Sequence, residues 1–180
     1  MANIYQDLLY QLQSKTRVGD WEVPEDGVCF PINWNQREIQ IPSGSAPVLV
    51  TGDHNANIVY FEMDRFFNIV DLSEMSCVVE YINPEGQVRI SPILQYDTST
   101  PEVLRIGWVV NHEMVSGNMG TVQFAIRFYR INAGTREFEY NMSTMPAQFT
   151  VLKGIAQGTT TDYDYEYPTN DILDIFDRIH

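Results

Sequence analysis

The stretch Gly120-Thr121-Val122-Gln123-Phe124-Ala125-Ile126-Arg127-Phe128-Tyr129-Arg130-Ile131 decides the fold. Val122, Phe124, Ile126 and Phe128 fall on one face of an extended chain, and Thr121, Gln123, Ala125 and Arg127 fall on the other. Alternation of period 2, with β-branched and aromatic residues on one side, is the mark of a half-buried strand. A strand with one oily and one mostly polar face belongs in an antiparallel sheet covered on one side only.

Working outward, the same reading predicts strands over 38–41, 48–51, 57–63, 77–83, 87–96, 103–111, 138–142 and 147–153, separated by turn chemistry. Pro42 and Pro47 bracket a Ser-Gly-Ser turn, and Gly52-Asp53-His54-Asn55 is a turn cluster. Asn83-Pro84-Glu85-Gly86 reads as a type I turn, with Pro at its second position and Gly at its fourth. Phe66 and Phe67 fall in a short irregular stretch that ends at Asp71-Leu72-Ser73. About nine strands at regular spacing predict an all-β protein, an antiparallel immunoglobulin-like β-sandwich with short N- and C-terminal helical extensions. A closed barrel is the alternative.

Before the first strand, Ile4, Leu8, Leu9 and Leu12 recur at helical spacing, which predicts an amphipathic helix over 3–13. So short a helix is marginal in water and must pack on something, either its own domain or a neighbouring subunit. Residues 17–35 carry Gly19, Pro24, Gly27 and Pro31 without sustained periodicity and read as an irregular connector. Its aromatics Trp21, Phe30 and Trp34 either pin the connector to the core or form a platform for sugar rings.

Past Lys153 the composition changes. Tyr163, Tyr165 and Tyr167 alternate with Asp162, Asp164 and Glu166, and from Thr159 to His180 six acidic residues face one basic residue. The three carboxylates are a candidate Ca²⁺ set, although the glycine and bidentate glutamate of an EF-hand loop are missing and a solvated acidic linker fits as well. Pro168-Thr169-Asn170-Asp171 has the chemistry of a helix start. Ile172, Ile175, Phe176 and Ile179 then sit at i, i+3, i+4 and i+7, the first heptad of a coiled coil. The domain reading is therefore 1–36 helix and connector, 37–155 sandwich, and 156–180 acidic/tyrosine linker and C-terminal helix.

The 180 residues carry a formal net charge of −13. That charge repels a phosphate backbone and an anionic bilayer, so no nucleic-acid and no membrane partner is expected. No apolar run approaches the roughly 18–20 residues of a membrane span. The first residues lack the basic and apolar regions of a signal peptide, which predicts synthesis in the cytoplasm. Two cysteines, Cys29 and Cys77, have no metal-ligand spacing and read as reduced, with a Cys29–Cys77 bridge as the alternative.

The search for chemistry returns no catalytic, cofactor or metal motif of known spacing. His112, Glu113 and Ser116 are too close in sequence to build a triad and read as loop residues. The candidate functional residues are instead partner-binding: Ile4, Leu8 and Leu12 on the first helix, Tyr163, Tyr165 and Tyr167 in the linker, and Ile172, Ile175, Phe176 and Ile179 on the last helix.

Three stretches add a resemblance. Thr51–Asn57 continuing through Phe61–Ser73, Glu80–Gly86, and Gly120–Tyr129 together resemble the N-terminal β-sandwich domain of upper-baseplate and tail-fibre adaptor proteins in phages of Gram-positive bacteria. The resemblance covers roughly 38–155. It implies a structural virion protein that anchors a fibre or receptor-binding assembly to a tail baseplate or capsid. It implies no enzymatic activity and no cofactor, partners that are other virion proteins, and a homo-oligomer, a trimer if phage fibres are the guide. The alternative is a carbohydrate-binding module that contacts host cell-wall glycan.

Overall fold

The computed structural model describes residues 4–42, 49–50, 58–110 and 119–152. Among these, helix α1 (Ile4–Gln13) is followed by β1 (Gly19–Asp20), β2 (Cys29–Asn33), β3 (Glu38–Ile39), β4 (Leu49–Val50) and β5 (Ile58–Asp64). A tight hairpin, β6 (Phe66–Phe67) and β7 (Val70–Asp71), leads through one 3₁₀ turn to β8 (Ser76–Ile82), β9 (Val88–Pro92) and β10 (Gln95–Asp97). The rest is β11 (Val103–Val109), β12 (Gly120–Ile131), β13 (Phe138–Ser143) and β14 (Ala147–Leu152).

The protein is an all-β sandwich. One sheet has the order β1-β10-β11-β5-β2-β3 and the other β4-β14-β12-β8-β9, with β13 also paired to β12. Strand β12 is the axis of the second sheet. One edge pairs with β8 from Gln123↔Ile82 to Tyr129↔Ser76. The opposite edge is divided, β14 taking Gly120 to Phe124 and β13 taking Arg127 to Ile131. Pairing is antiparallel except for β1 with β10, β2 with β5 and β4 with β14.

The alternation of β12 does what its pattern dictates. Val122, Phe124, Ile126 and Phe128 are buried between the sheets. Phe124 packs 4.6 Å from Phe149, 5.2 Å from Trp108 and 5.9 Å from Phe61, measured between ring centroids. Phe61 and Trp108 come from β5 and β11 of the facing sheet, so this ring cluster joins the two layers. At these separations tilted aromatic pairs add about 0.5–1.5 kcal/mol each beyond the area they bury.

Two sequence expectations are corrected. Residues 29–33, expected in an irregular connector, form β2 and run parallel to β5, with Phe30, Ile32 and the following Trp34 buried in the main core. The run 87–96, expected as one strand, is two: β9 belongs to the second sheet and β10 to the first. The chain crosses between the layers at Ile93-Leu94, where the Ile93 N–H donates to the Cys77 carbonyl at 2.9 Å, and β10 begins at Gln95. Ile93 is buried at the crossing, so apolar pattern continues through the break and hides it.

The β8–β9 turn is as read from sequence. The Asn83 side-chain oxygen accepts from Glu85 N (3.1 Å) and Gln87 N (2.9 Å), and Gly86 takes φ +84°, the left-handed region glycine enters without strain.

Candidate functional site

Helix α1 lies on the outer face of the second sheet. Leu9 is fully buried in a small cluster with Val78, Tyr129 and Ile131, and Leu12, Tyr5 and Tyr10 pack around it. The Tyr129 hydroxyl donates to the Leu9 carbonyl at 2.6 Å, and Gln13 both accepts from Ile131 N (2.7 Å) and donates to Ile131 O (3.2 Å). Arg136 stacks over the Tyr10 ring at 4.0 Å. Of the two sequence readings of this helix, Leu9 and Leu12 therefore follow the one in which it packs on its own domain. Ile4 and Leu8, on the first two turns, are 87% and 40% exposed.

A second feature was not visible in the sequence. The pairing of β2 with β5 stops at Pro31↔Glu62. Pro31 has no N–H to give, and its carbonyl accepts from Gln40 N at 2.8 Å instead. Ile32 and Asn33 then pair with Ile39 and Glu38 across the other edge, while β5 runs on to Asp64. Where β2 and β5 lose contact, a cleft of about 590 Å³ opens.

The floor of this cleft is Ile32, Trp34 and Met63, and its wall is the β6–β7 hairpin with Phe66, Phe67 and Asn68. Its polar groups are Asn33, Asn35, Gln40, Glu62 and Asp64. Successive outward residues Glu62 and Asp64 are about 7 Å apart along β5. The hairpin that carries Phe66 is stapled at its base: Arg65 Nε donates to Asp71 Oδ1 at 3.0 Å and Nη2 to Oδ2 at 3.0 Å. Asn68 takes φ +59°, a conformation that asparagine tolerates in a two-residue hairpin loop. The Arg65 guanidinium lies 5.5 Å over the Phe66 ring and holds it in place, leaving Phe66 48% exposed.

Electrostatically the cleft is acidic at its rim, and the neighbouring Arg65 and Arg105 are engaged. Burial alone would raise the Asp71 pKa, but hydrogen bonds from Arg65 and from Ser73 outweigh it and hold the carboxyl below its ordinary value. Arg105 hydrogen-bonds Glu62 at 3.0 Å, and that contact raises the guanidinium pKa. The side chains of Asn35, Gln40, Asp64 and Asn68 make no hydrogen bond or ion pair among the described residues.

Over 69% of its length the chain is similar to the N-terminal domain of phage TP901-1 ORF48, covering 93% of that chain at 12% identity with a TM-score of 0.40. No protein-family model matches the sequence, and no curated protein matches it.

Tyr163, Tyr165, Tyr167, Ile172, Ile175, Phe176 and Ile179, the carboxylates Asp162, Asp164 and Glu166, and His112, Glu113 and Ser116 all lie outside the described residues. Trp34, read from sequence as either a core anchor or part of a sugar platform, is 5% exposed and donates its indole N–H to Met63 Sδ at 3.4 Å. Its ring meets Phe128 edge-on at 5.8 Å, so it anchors the core. Both cysteines are free, and burial raises both thiol pKa values, that of Cys77 most. Among the described residues no three His, Cys, Asp or Glu side chains are grouped to hold a metal ion, and no helix is long and apolar enough to cross a membrane.

Proposed function

We propose that this chain is a structural virion protein of a phage, an adaptor whose sandwich seats a fibre or receptor-binding assembly on a tail baseplate or capsid and which has no catalytic role. The observation that carries the reading is the division of α1. Leu9, Leu12 and Gln13 fix the helix to its own sheet, and Ile4 and Leu8 are left facing outward. Apolar side chains on a pinned helix lose little further freedom when a partner covers them, so more of their burial energy survives as affinity.

The three sequence stretches that resemble phage adaptor domains support the class of partner. Their described portions are the end of β5 with its hairpin, the β8–β9 turn, and β12. The partners are other virion proteins, with neither nucleic acid nor membrane among them. Self-association runs through Tyr163, Tyr165, Tyr167, Ile172, Ile175, Phe176 and Ile179, and a trimer is the proposed form.

The test uses virions purified from the phage whose genome carries the chain. Mass spectrometry is expected to find it at fixed stoichiometry. The Ile4→Asp/Leu8→Asp double variant is expected to keep its stability within about 1 kcal/mol, as surface changes do, and to be left out of the particles. Absence of the wild-type chain from purified virions, or normal incorporation of the variant, refutes the reading.

A further inference from the structure

The cleft between β2, β5 and the β6–β7 hairpin lies apart from the exposed Ile4 and Leu8 of α1, and its chemistry is specific. We propose that it is a binding site for a neutral oligosaccharide, with Phe66 as the stacking platform and Asp64, Asn35, Gln40 and Asn68 as the hydroxyl partners.

Three observations lead there. First, no cationic side chain among the described residues lines the cleft. Among the arginines adjacent to lining residues, Arg65 and Arg105 are committed to Asp71 and Glu62, and Arg37 donates to the Ser143 carbonyl. A phosphate or other anion would meet Glu62 and Asp64 with nothing to neutralise it, so anionic ligands are disfavoured.

Second, the free polar groups are carboxylate and amide. Carboxylate oxygens accept only, and amides both donate and accept. Sugar hydroxyls likewise donate and accept, so a pyranose edge satisfies such a set without leaving a buried group unpaired, which would cost about 1–3 kcal/mol. A cation is the other ligand that carboxylates attract. Glu62 is already bonded to Arg105, and no third His, Cys, Asp or Glu among the described residues stands with the pair.

Third, the cleft has an aromatic wall fixed in position. Arg65 covers the Phe66 ring from one side, and the bidentate Arg65–Asp71 pair holds the hairpin. A half-exposed ring that does not have to be ordered on binding is suited to the apolar C–H face of a sugar. The cleft volume of about 590 Å³ lies within the range of small-ligand sites and has room for more than one pyranose ring. The site also differs from a tryptophan platform: Trp34 lies beneath it as floor, and half-exposed Trp21 is not among the residues that line it.

The site stands or falls independently of the virion reading. The experiment is saturation-transfer NMR on the full chain with chitotriose, maltotriose, mannotriose and galactotriose, followed by titration of whichever trisaccharides bind. At least one is expected to receive saturation. Phe66→Ala is expected to weaken its binding about tenfold or more, and Asp64→Ala to weaken it severalfold. Trp21→Ala, which leaves the cleft intact, is expected to bind as the wild type does. Amide spectra of each variant check that the sandwich is unchanged. Absence of saturation transfer to all four sugars overturns the proposal, as does binding that Phe66→Ala leaves untouched in a folded variant.

Discussion

Leu9→Ala is the sharpest test of how the helix is held. Leu9 is fully buried, yet its cluster with Val78, Tyr129 and Ile131 is separate from the main core between the sheets. Removing a buried leucine to the Cβ costs about 2–5 kcal/mol, part of it lost transfer energy and part the cavity left behind. A ten-residue helix has almost no stability of its own in water. The cost therefore falls on the opening of α1 from its sheet and not on global unfolding. At about 1.4 kcal/mol per factor of ten, amide exchange in α1 should accelerate about thirtyfold to a few thousandfold. Exchange in β5 and β11, in the opposite sheet, should change by less than threefold. Native-state hydrogen exchange read by NMR or mass spectrometry resolves the two regions. Equal acceleration of α1 and β11 would show that the helix is part of the global cooperative unit, and unchanged exchange in α1 would show that Leu9 does not hold it.

Three further outcomes are expected. Phe124→Ala empties the centre of the inter-sheet ring cluster and should cost about 3–5 kcal/mol in urea unfolding; a loss below about 1 kcal/mol contradicts the packing described. Asp71 has a folded pKa below its unfolded value of about 3.9, so the unfolded chain binds the extra proton and stability falls as pH drops through the folded value. Asp71→Asn should lower the urea midpoint at pH 6 and flatten its decline toward pH 3, where Asp97, depressed by Ser99 and the Val23 amide, still contributes; an unaltered acid limb refutes the assignment. Iodoacetamide should label the half-buried Cys29 slowly and the buried Cys77 only after denaturation, with mass spectrometry counting the adducts; rapid double labelling of the native chain would contradict the burial of Cys77.

What the sequence made legible was local. The alternation along Gly120–Ile131 gives the core face of β12 directly, and Asn83-Pro84-Glu85-Gly86 gives its turn because the turn chemistry sits within four residues. β2 was hidden because Cys-Phe-Pro-Ile-Asn is short, contains a proline, and pairs with a strand some thirty residues later. The break between β9 and β10 was hidden because both layers are apolar where the chain crosses. The site over β5 was hidden most thoroughly. It is assembled from the end of one pairing, a loop after β2 and a two-residue hairpin, and periodicity carries no trace of such a meeting. One clue was available for the helix: Tyr129 and Ile131 are apolar on what is otherwise the polar face of β12, and they mark where Leu9 docks.

The length of β12 has a mechanical consequence. Its Ile131 end holds α1, and at its Gly120 end it pairs with the last residues of β14. The eleven steps between the first and last of its 12 residues, at about 3.3 Å each, put those two attachment points about 36 Å apart. Tension applied between them runs parallel to β12, and β14 is pulled along its own axis. The hydrogen bonds between β12 and β14 then share the load in shear and do not open one after another like a zip. The compliant part of such a linkage is the helix, gripped by one small apolar cluster and a few hydrogen bonds, and under load it is expected to peel away before the sheet yields.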